Sequence, residues 1–304
     1  DSSYSMEITE RSIAVACRGP AGLIAALRTL RGVRDEHGFP CASIADAPRF
    51  RYRGVHLDVA RHFFRPEFLR RLIHLMSVLG LNVFHWHLTD DQGWRLPVPG
   101  RARLTDVGAY RTEPDGTRYG GYYTEQEIRE VVEYAGNHGV LVIPEVELPG
   151  HARAAIASYP ELSCEQAPIE VWNTWGICED VFCAGSEETF AFLEDVFDQV
   201  VRLFPSRYVH VGGDECPRSK WKECPRCQTR IRDEGLSGED ELQSYVVERA
   251  ARALERRGRI AIGWDEILEG GLPEGTVVMS WRGTTGGARA AEMGHDVIMT
   301  PTTH

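Results

Sequence analysis

Two rhythms of apolar and polar residues alternate along most of the chain. Short runs dense in β-branched and aromatic residues read as strands: 54-GVHLDVA, 82-NVFHWHL, 140-VLVIPEVEL, 208-YVHVGGDE, 260-IAIGWDE, 277-VVMSWRG and 296-DVIMTP. Between them, apolar residues at helical spacing predict helices over Pro66–Leu79, Glu125–His138, Glu187–Phe204 and Glu241–Arg257. Thr124 with Glu127 forms a capping box, and Gly80 and Gly139 fall where helix C-caps belong. Residues 1–46 differ: two short strands, around Ser5–Ile8 and Ile13–Cys17, precede a helix from about Ala21 to Leu30. The pattern divides the chain into a small α/β unit over 1–46 and a larger domain over 47–304.

Strands apolar on both faces, alternating with helices, predict a parallel sheet covered by helices. Polar residues gather at the strand ends: Asp58–Arg61, His87–Asp91, Glu145–His151, His210–Glu215, Trp264–Glu266 and Trp281–Arg282. That is the arrangement of a (β/α)₈ barrel, whose reacting groups come from the carboxyl ends of several strands. No G-x-G-x-x-G opens a helix, which disfavours an open doubly wound sheet. Seven such strands are legible rather than eight. Either one strand escapes the pattern or the chain stops short of its natural end; the expectation is the second, a (β/α)₈ barrel lacking its last stave that further polypeptide could complete.

Composition excludes little beyond this. With 304 residues, 42% hydrophobic and 26% charged, the chain is an ordinary globular mixture and not a disordered or fibrous one. A net charge of −11 makes nucleic acid an unfavourable partner, and no apolar run approaches the roughly 18 residues of a membrane span. The opening Asp-Ser-Ser-Tyr has neither the charged nor the apolar region of a signal peptide. Among the eight cysteines, a pair from Cys164, Cys178 and Cys183 could staple one loop-rich stretch. Cys224 and Cys227 form a single C-P-R-C with only Cys216 nearby, short of the four ligands of structural zinc, so a free or disulfide-bonded pair is favoured there.

The sharpest chemical signal is 210-HVGGDEC, where Gly212 and Gly213 allow close approach to the backbone and Asp214 and Glu215 follow at once. The bland reading is a Gly-Gly turn with two solvated acids. Two carboxylates suggest glycoside hydrolysis. Treated as strand neighbours, however, they point to opposite faces and are badly placed to flank one bond. They suit a mechanism in which Glu215 protonates the leaving oxygen and Asp214 orients a nucleophile supplied by the substrate. In 84-FHWHLTDDQGWR, His85 and His87 share a strand face. The pair could bind a metal, but with no third ligand clearly placed a polar support network including Asp90 and Asp91 is favoured, with Trp86 facing the core. In 145-EVELPGHA, Pro149-Gly150 turns the chain to present His151 beside Glu145 and Glu147, where it could hold a carboxyl in the right protonation state. Trp264 and Trp281, at successive strand ends, read as walls of a pocket for the apolar face of a sugar.

Taken in order, RGVHLDVARHFF, NVFHWHLTDDQGWR, IPEVELPGHA, HVGGDE, GWDE and SWRG resemble glycoside hydrolase family 20, the β-N-acetylhexosaminidases, from about Phe50 to Met299. Residues 6–32 resemble the end of the small α/β domain that precedes the barrel in that family. The resemblance implies removal of terminal β-linked N-acetylglucosamine or N-acetylgalactosamine from oligosaccharides or glycoconjugates, with retention of configuration. It makes Glu215 the general acid/base. Asp214 would bond the 2-acetamido N–H, so that the acetamido oxygen attacks the anomeric carbon and forms an oxazolinium. It further implies that Arg61 binds sugar hydroxyls, that Asp90 and His151 tune Glu215 with Glu147 close to that histidine, and that Trp264 and Trp281 enclose the acetamido methyl. It implies no metal or organic cofactor and a secreted or periplasmic location. The family pattern continues past His304 with a Tyr, an acidic residue, a Trp and the eighth strand, so activity of these 304 residues alone is open. Two other readings stand beside it: a metal-dependent amidohydrolase-type barrel, from His85 and His87, and a non-catalytic sugar-binding fragment, from the absent eighth strand.

Overall fold

A computed structural model describes residues 2–300, and the final Pro-Thr-Thr-His lies outside them. The chain forms two compact units. One comprises the described residues through Val55 with Arg65–Phe84 and Glu130–Val142; the other comprises His56–Phe64, His85–Arg129 and the described residues from Ile143 onward.

In the first unit, strand Tyr4–Ile8 lies between Ile13–Cys17 and Ala42–Asp46, antiparallel to both. Alternation along YSMEI puts Tyr4, Met6 and Ile8 on the buried face, where Ala25 and Ala26 of helix Pro20–Val33 pack on them. The Tyr4 hydroxyl donates to Thr29 Oγ1 at 2.6 Å. The helix Pro66–Leu79 starts on Pro66, whose fixed φ suits a first helical position, and ends on Gly80 in the left-handed conformation.

All seven strands read from the sequence form one sheet, taken in chain order: Gly54–Asp58, Val83–His87, Leu141–Leu148, Tyr208–Gly212, Ile260–Trp264, Val277–Ser280 and Val297–Met299. Pairing is parallel from Leu141–Leu148 onward, with Glu145 opposite His210, Ile262 opposite Val277 and Met279 opposite Ile298. The order never reverses, as it would in a doubly wound sheet, so the topology is that of a (β/α) barrel. Helix Glu187–Leu203 buries Leu193, Val196, Phe197 and Val200, an i, i+3, i+4, i+7 stripe, and carries acids in its first turn and Arg202 in its last. The capping box forms as read, since Thr124 N–H donates to Glu127 Oε2 (2.8 Å) and Glu127 N–H to Thr124 Oγ1 (3.2 Å).

The sequence reading did not resolve what lies between these elements: two short hairpins at Thr89–Trp94 and Tyr110–Gly120, the third antiparallel strand, and helices Pro225–Asp233 and Thr285–Glu292. One buried cation holds the first of these regions. Arg95 is fully buried with no carboxylate paired to it among the described residues, and burial pulls its pKa down to about 10, so it stays charged at neutral pH. Its guanidinium donates to the carbonyl oxygens of Val59, Ala60, Ala109 and Gly121 at 2.5–2.9 Å. Arg95 therefore gathers three backbone segments around the base of the Asp58–Arg61 strand end. Arg95→Met would take the donor from the buried carbonyls of Val59 and Ala60 and from the part-buried one of Gly121, while Ala109 O keeps the Gly121 N–H, at about 1–3 kcal/mol for each carbonyl that water does not reach. The expected result is a loss of at least about 2 kcal/mol in chemical denaturation; a variant within 1 kcal/mol of the parent (roughly the worth of one ordinary hydrogen bond) would show that the carbonyls find other partners.

Candidate active site

The carboxyl ends of the strands place acids and imidazoles together in the second unit. Glu145 among them is fully buried, and its pKa is held well below the usual carboxylate range by His210, His87 and His85 against the opposing effect of burial. Glu145 Oε2 lies 2.9 Å from His85 Nε2 and 2.6 Å from His87 Nδ1, and Oε1 lies 2.9 Å from His210 Nδ1 and accepts from Trp264 Nε1 at 2.9 Å. The two histidines of F-H-W-H thus do share one face, as strand alternation requires, and both imidazoles are committed to the same carboxylate. Burial depresses His85 to about 3, whereas His87, equally buried but flanked by Glu145, Asp58 and Asp90, is raised to about 10. Trp86 faces the opposite way, fully buried against Tyr123.

Nearer the surface a second chain runs through His151. Its Nδ1 lies 3.2 Å from Asp90 Oδ1 and 3.3 Å from Asp91 Oδ2; its Nε2 lies 3.3 Å from Asp214 Oδ2 and 3.6 Å from Glu215 Oε2. Burial opposes the charge on His151, yet Asp90 and its carboxylate neighbours raise its pKa well above the ordinary value. Asp90 in turn is kept strongly acidic, despite burial, by His151, His87 and Arg61. Arg61 Nη1 donates to Asp58 Oδ2 (3.0 Å) and pairs with Asp90 Oδ2 (2.5 Å), while Nη2 lies 3.4 Å from His151 Nδ1. Burial disfavours this guanidinium's charge, but Asp90, Asp58 and Glu147 hold its pKa above the usual value.

The structure corrects one inference about Asp214 and Glu215. They do not alternate as strand neighbours, because the strand ends at Gly212. Gly212 and Gly213 have φ of 69° and 91°, and Glu215 itself has φ of 42°, so the chain turns and both carboxylates reach one imidazole nitrogen. Side by side on one histidine, they still do not flank a bond from opposite sides. His151, at φ 50°, is also in the left-handed region that a residue with a Cβ adopts only at a cost of order 1–3 kcal/mol. Glu215 side-chain exposure is 35%, against 17% for Asp214 and 2% for His151. Only Glu215 is substantially open to solvent.

Gly212 has a second reason to be glycine. A Cβ built there would stand 1.8 Å from Glu147 Oε2. Glu147 fills that space, wholly buried, and neither of its carboxyl oxygens has a hydrogen-bond partner among the described residues. Burial, reinforced by Asp214 and Glu145, raises its pKa well above the ordinary 4.5.

Trp264 and Trp281 part company. The Trp264 ring packs on His210 (4.7 Å), His56 and His85 (5.8 Å each), over the Glu145 cluster. Trp281 donates from Nε1 to Glu266 Oε2 at 3.0 Å and lines a cavity of about 530 Å³ with Glu215, Gln243, Glu266 and Arg282. Glu266, raised to about 7 by burial and by Asp214, was not singled out as a site residue from the sequence, nor were Asp58, His210 and Arg282. Its signal was present in GWDE, where the acid directly follows the strand-end tryptophan.

Strands in unbroken parallel order, with acids and imidazoles converging at their carboxyl ends, define a domain of the (β/α)-barrel enzyme class. Residues 50–304 match the model of glycosyl hydrolase family 20, catalytic domain, and the chain belongs to that family. It is 52% identical over 262 residues to a β-hexosaminidase of Porphyromonas gingivalis, covering 86% of this chain and 34% of that protein. Among solved structures, a β-N-acetylhexosaminidase from Bacteroides fragilis is similar at 35% identity and TM-score 0.88 over 98% of this chain and 61% of that one. An exo-β-N-acetylglucosaminidase from Vibrio harveyi in complex with N-acetylglucosamine is similar at 36% identity and TM-score 0.89, over 99% and 50%. The chain spans less than two thirds of the length of each of these proteins.

The environment of Glu147 has a measurable consequence. A carboxyl whose pKa is raised by folding adds stability that is present below 4.5 and is lost as the pH climbs toward the folded-state value. Glu147→Gln keeps the shape and removes the titration. As the pH rises from 4.5 toward neutrality the variant should gain stability relative to the parent, because only the parent loses the contribution of the raised carboxyl. Thermal melts across that range would refute this if the two proteins kept a constant difference.

Proposed function

We propose that the protein containing this chain hydrolyses terminal β-linked N-acetylhexosamine residues by substrate-assisted, retaining catalysis. The observation that carries this reading is His151, which holds Asp214 and Glu215 at one imidazole nitrogen with Asp90 behind it. Two carboxylates on the same side of a bond cannot act as acid and opposing nucleophile. They can act as proton donor and amide clamp. Glu215, the more exposed, protonates the glycosidic oxygen. Asp214 accepts the acetamido N–H and turns the amide carbonyl oxygen toward the anomeric carbon. The C–O bond to the leaving group breaks as that oxygen bonds carbon 1, giving an oxazolinium whose positive charge the Asp214 carboxylate offsets. Glu215, now ionised, takes a proton from the water that reopens the ring, and two inversions leave the configuration retained.

In this proposal Arg61 presents its fork to sugar hydroxyls, anchored by Asp58 and Asp90. Trp281 walls the acetamido methyl from the cavity beside Glu215, whereas Trp264 lies over the imidazole cluster and backs Glu145. The Vibrio harveyi relative was crystallised with N-acetylglucosamine, which supports a substrate of that class. A metal-dependent amidohydrolase is the weaker reading because the catalytic-domain match is to a glycosyl hydrolase, although Glu145 stands beside His85 and His87 as a third donor.

The test uses the whole protein with paired aryl glycosides that differ only at carbon 2. The N-acetyl-β-glucosaminide should turn over, the β-glucoside should not, and a thiazoline analogue should inhibit. Glu215→Gln should lower kcat on the acetamido substrate by about 10²–10⁴-fold, the usual worth of general acid–base catalysis. Equal cleavage of the two glycosides, or an unimpaired Glu215→Gln protein, would end the proposal.

A further inference from the structure

Cysteines scattered over the sequence meet in the second unit. Counting ligands around C-P-R-C, the sequence reading found only Cys216 nearby; the structure instead brings Cys164 and Cys183 to Cys224 and Cys227. Cys216 is turned to the Pro217 carbonyl and Cys178 to Asp180. The Sγ–Sγ separations are 3.7 Å for Cys164–Cys227, 3.7 Å for Cys183–Cys227 and 3.8 Å for Cys183–Cys224, and all four sulfurs lie within 4.8 Å of one another.

These distances identify the chemistry. Four thiolates at about 2.3 Å from a zinc ion at the centre of a tetrahedron stand about 3.8 Å apart. Disulfide-bonded sulfurs stand about 2.05 Å apart and come in exclusive pairs. Here Cys183 and Cys227 each have two sulfur neighbours at the same spacing, so the contacts form a connected set and not two pairs. We infer that Cys164, Cys183, Cys224 and Cys227 form a structural tetrathiolate site for one Zn²⁺.

The backbone is built for it. Ser163 and Phe182 form an antiparallel bridge, and Cys183 N–H donates to Leu162 O at 2.8 Å, which sets the first two cysteines on adjacent segments. Cys224 is the N-cap of helix Pro225–Asp233, so Cys224 and Cys227 occupy its opening turn, where free amides and the helix dipole favour thiolate. A Cβ at Gly185 would fall 2.2 Å from the Arg226 carbonyl carbon, so only glycine lets this loop lie on that turn. Cys183, Cys224 and Cys227 are at most 4% exposed and Cys164 is half-buried, so three of the four thiols are shielded from water. Arg226 Nη2 donates to the carbonyls of Ser163 and Cys164 at 3.0 and 3.1 Å, placing a cation beside a centre of net charge −2. None of the four cysteines lines the cavity beside Glu215, so the ion would be a staple and not a catalyst.

Metal analysis of the intact protein, purified under reducing conditions without added metal, should find one zinc per chain. Cobalt exchanged into the same protein should show the charge-transfer and d–d bands of a tetrahedral tetrathiolate centre. Cys183→Ser and Cys227→Ser should each lose the zinc, whereas Glu215→Gln should keep it, which separates this proposal from the hydrolytic one. Should the cysteine variants fail to fold, the cobalt spectrum of the parent decides alone. Alkylation without reductant, followed by mass measurement, covers the rival state. Disulfide between these cysteines, stoichiometric iron in place of zinc, or four thiols that react at once in a metal-free protein would each overturn the assignment.

Discussion

The site depends on a buried ion pair between Asp90 and His151. An imidazole facing two carboxylates through Nε2 must carry its proton there, and a charged imidazolium with 2% side-chain exposure needs a counter-charge on its other nitrogen. Asp90 supplies it, and Arg61 and His87 keep Asp90 ionised. Breaking such a pair from one side typically costs about 3–5 kcal/mol, since the surviving charge is stranded. The cost is borne here by a chain of alternating charges, Arg61, Asp90, His151 and Asp214, in which each member has an opposite neighbour. Glu147, the acid excluded from that alternation, has its pKa pushed upward by burial and by the Asp214 and Glu145 charges.

Alternation also explains why two strand ends that look alike differ. Glu145 and Glu147 are two residues apart and face the same way, yet one is strongly acidic and the other strongly basic for a carboxyl. Glu145 meets three imidazoles and an indole N–H; Glu147 meets the Asp214 and Glu145 charges and a backbone stripped of side chains at Gly212. With burial equal at both, the partners push these two positions of one strand in opposite directions.

Much of the frame was legible because it rests on local rules. The strand runs, the amphipathic helices, the capping box and the shared face of His85 and His87 follow from periods of 2 and 3.6 and needed no tertiary knowledge. What misled was local in form but set by distant contacts. Strand alternation fails at Asp214 because Gly212 must clear a carboxylate from a neighbouring strand, and that neighbour cannot be read from HVGGDE. Likewise Cys164 and Cys183 are joined to Cys224 and Cys227 by the bridge at Ser163 and Phe182, a pairing with no periodic signature. Trp264 and Trp281 hold equivalent positions at successive strand ends, yet one lies over imidazoles and the other on a cavity.

The stretch between Cys164 and Gly185 sharpens the point. It contains no helix and no extended strand, and fixing backbone costs about 1–2 kcal/mol per residue, so a loop of this length must be held by something other than secondary structure. Its middle is tied to the site: Trp172 N–H donates to the Asp91 carbonyl (3.1 Å), Gln92 Nε2 to Thr174 O (2.9 Å), and Arg153 to both Glu170 O (2.8 Å) and Asp180 Oδ2 (2.7 Å). Arg153 N–H in turn donates to Asp91 Oδ1, beside His151. Both ends of the loop, at Cys164 and Cys183, reach the cysteine cluster, whose other half belongs to the segment that follows Asp214 and Glu215. The loop that steadies the histidine and the turn that carries the two acids therefore share one anchor.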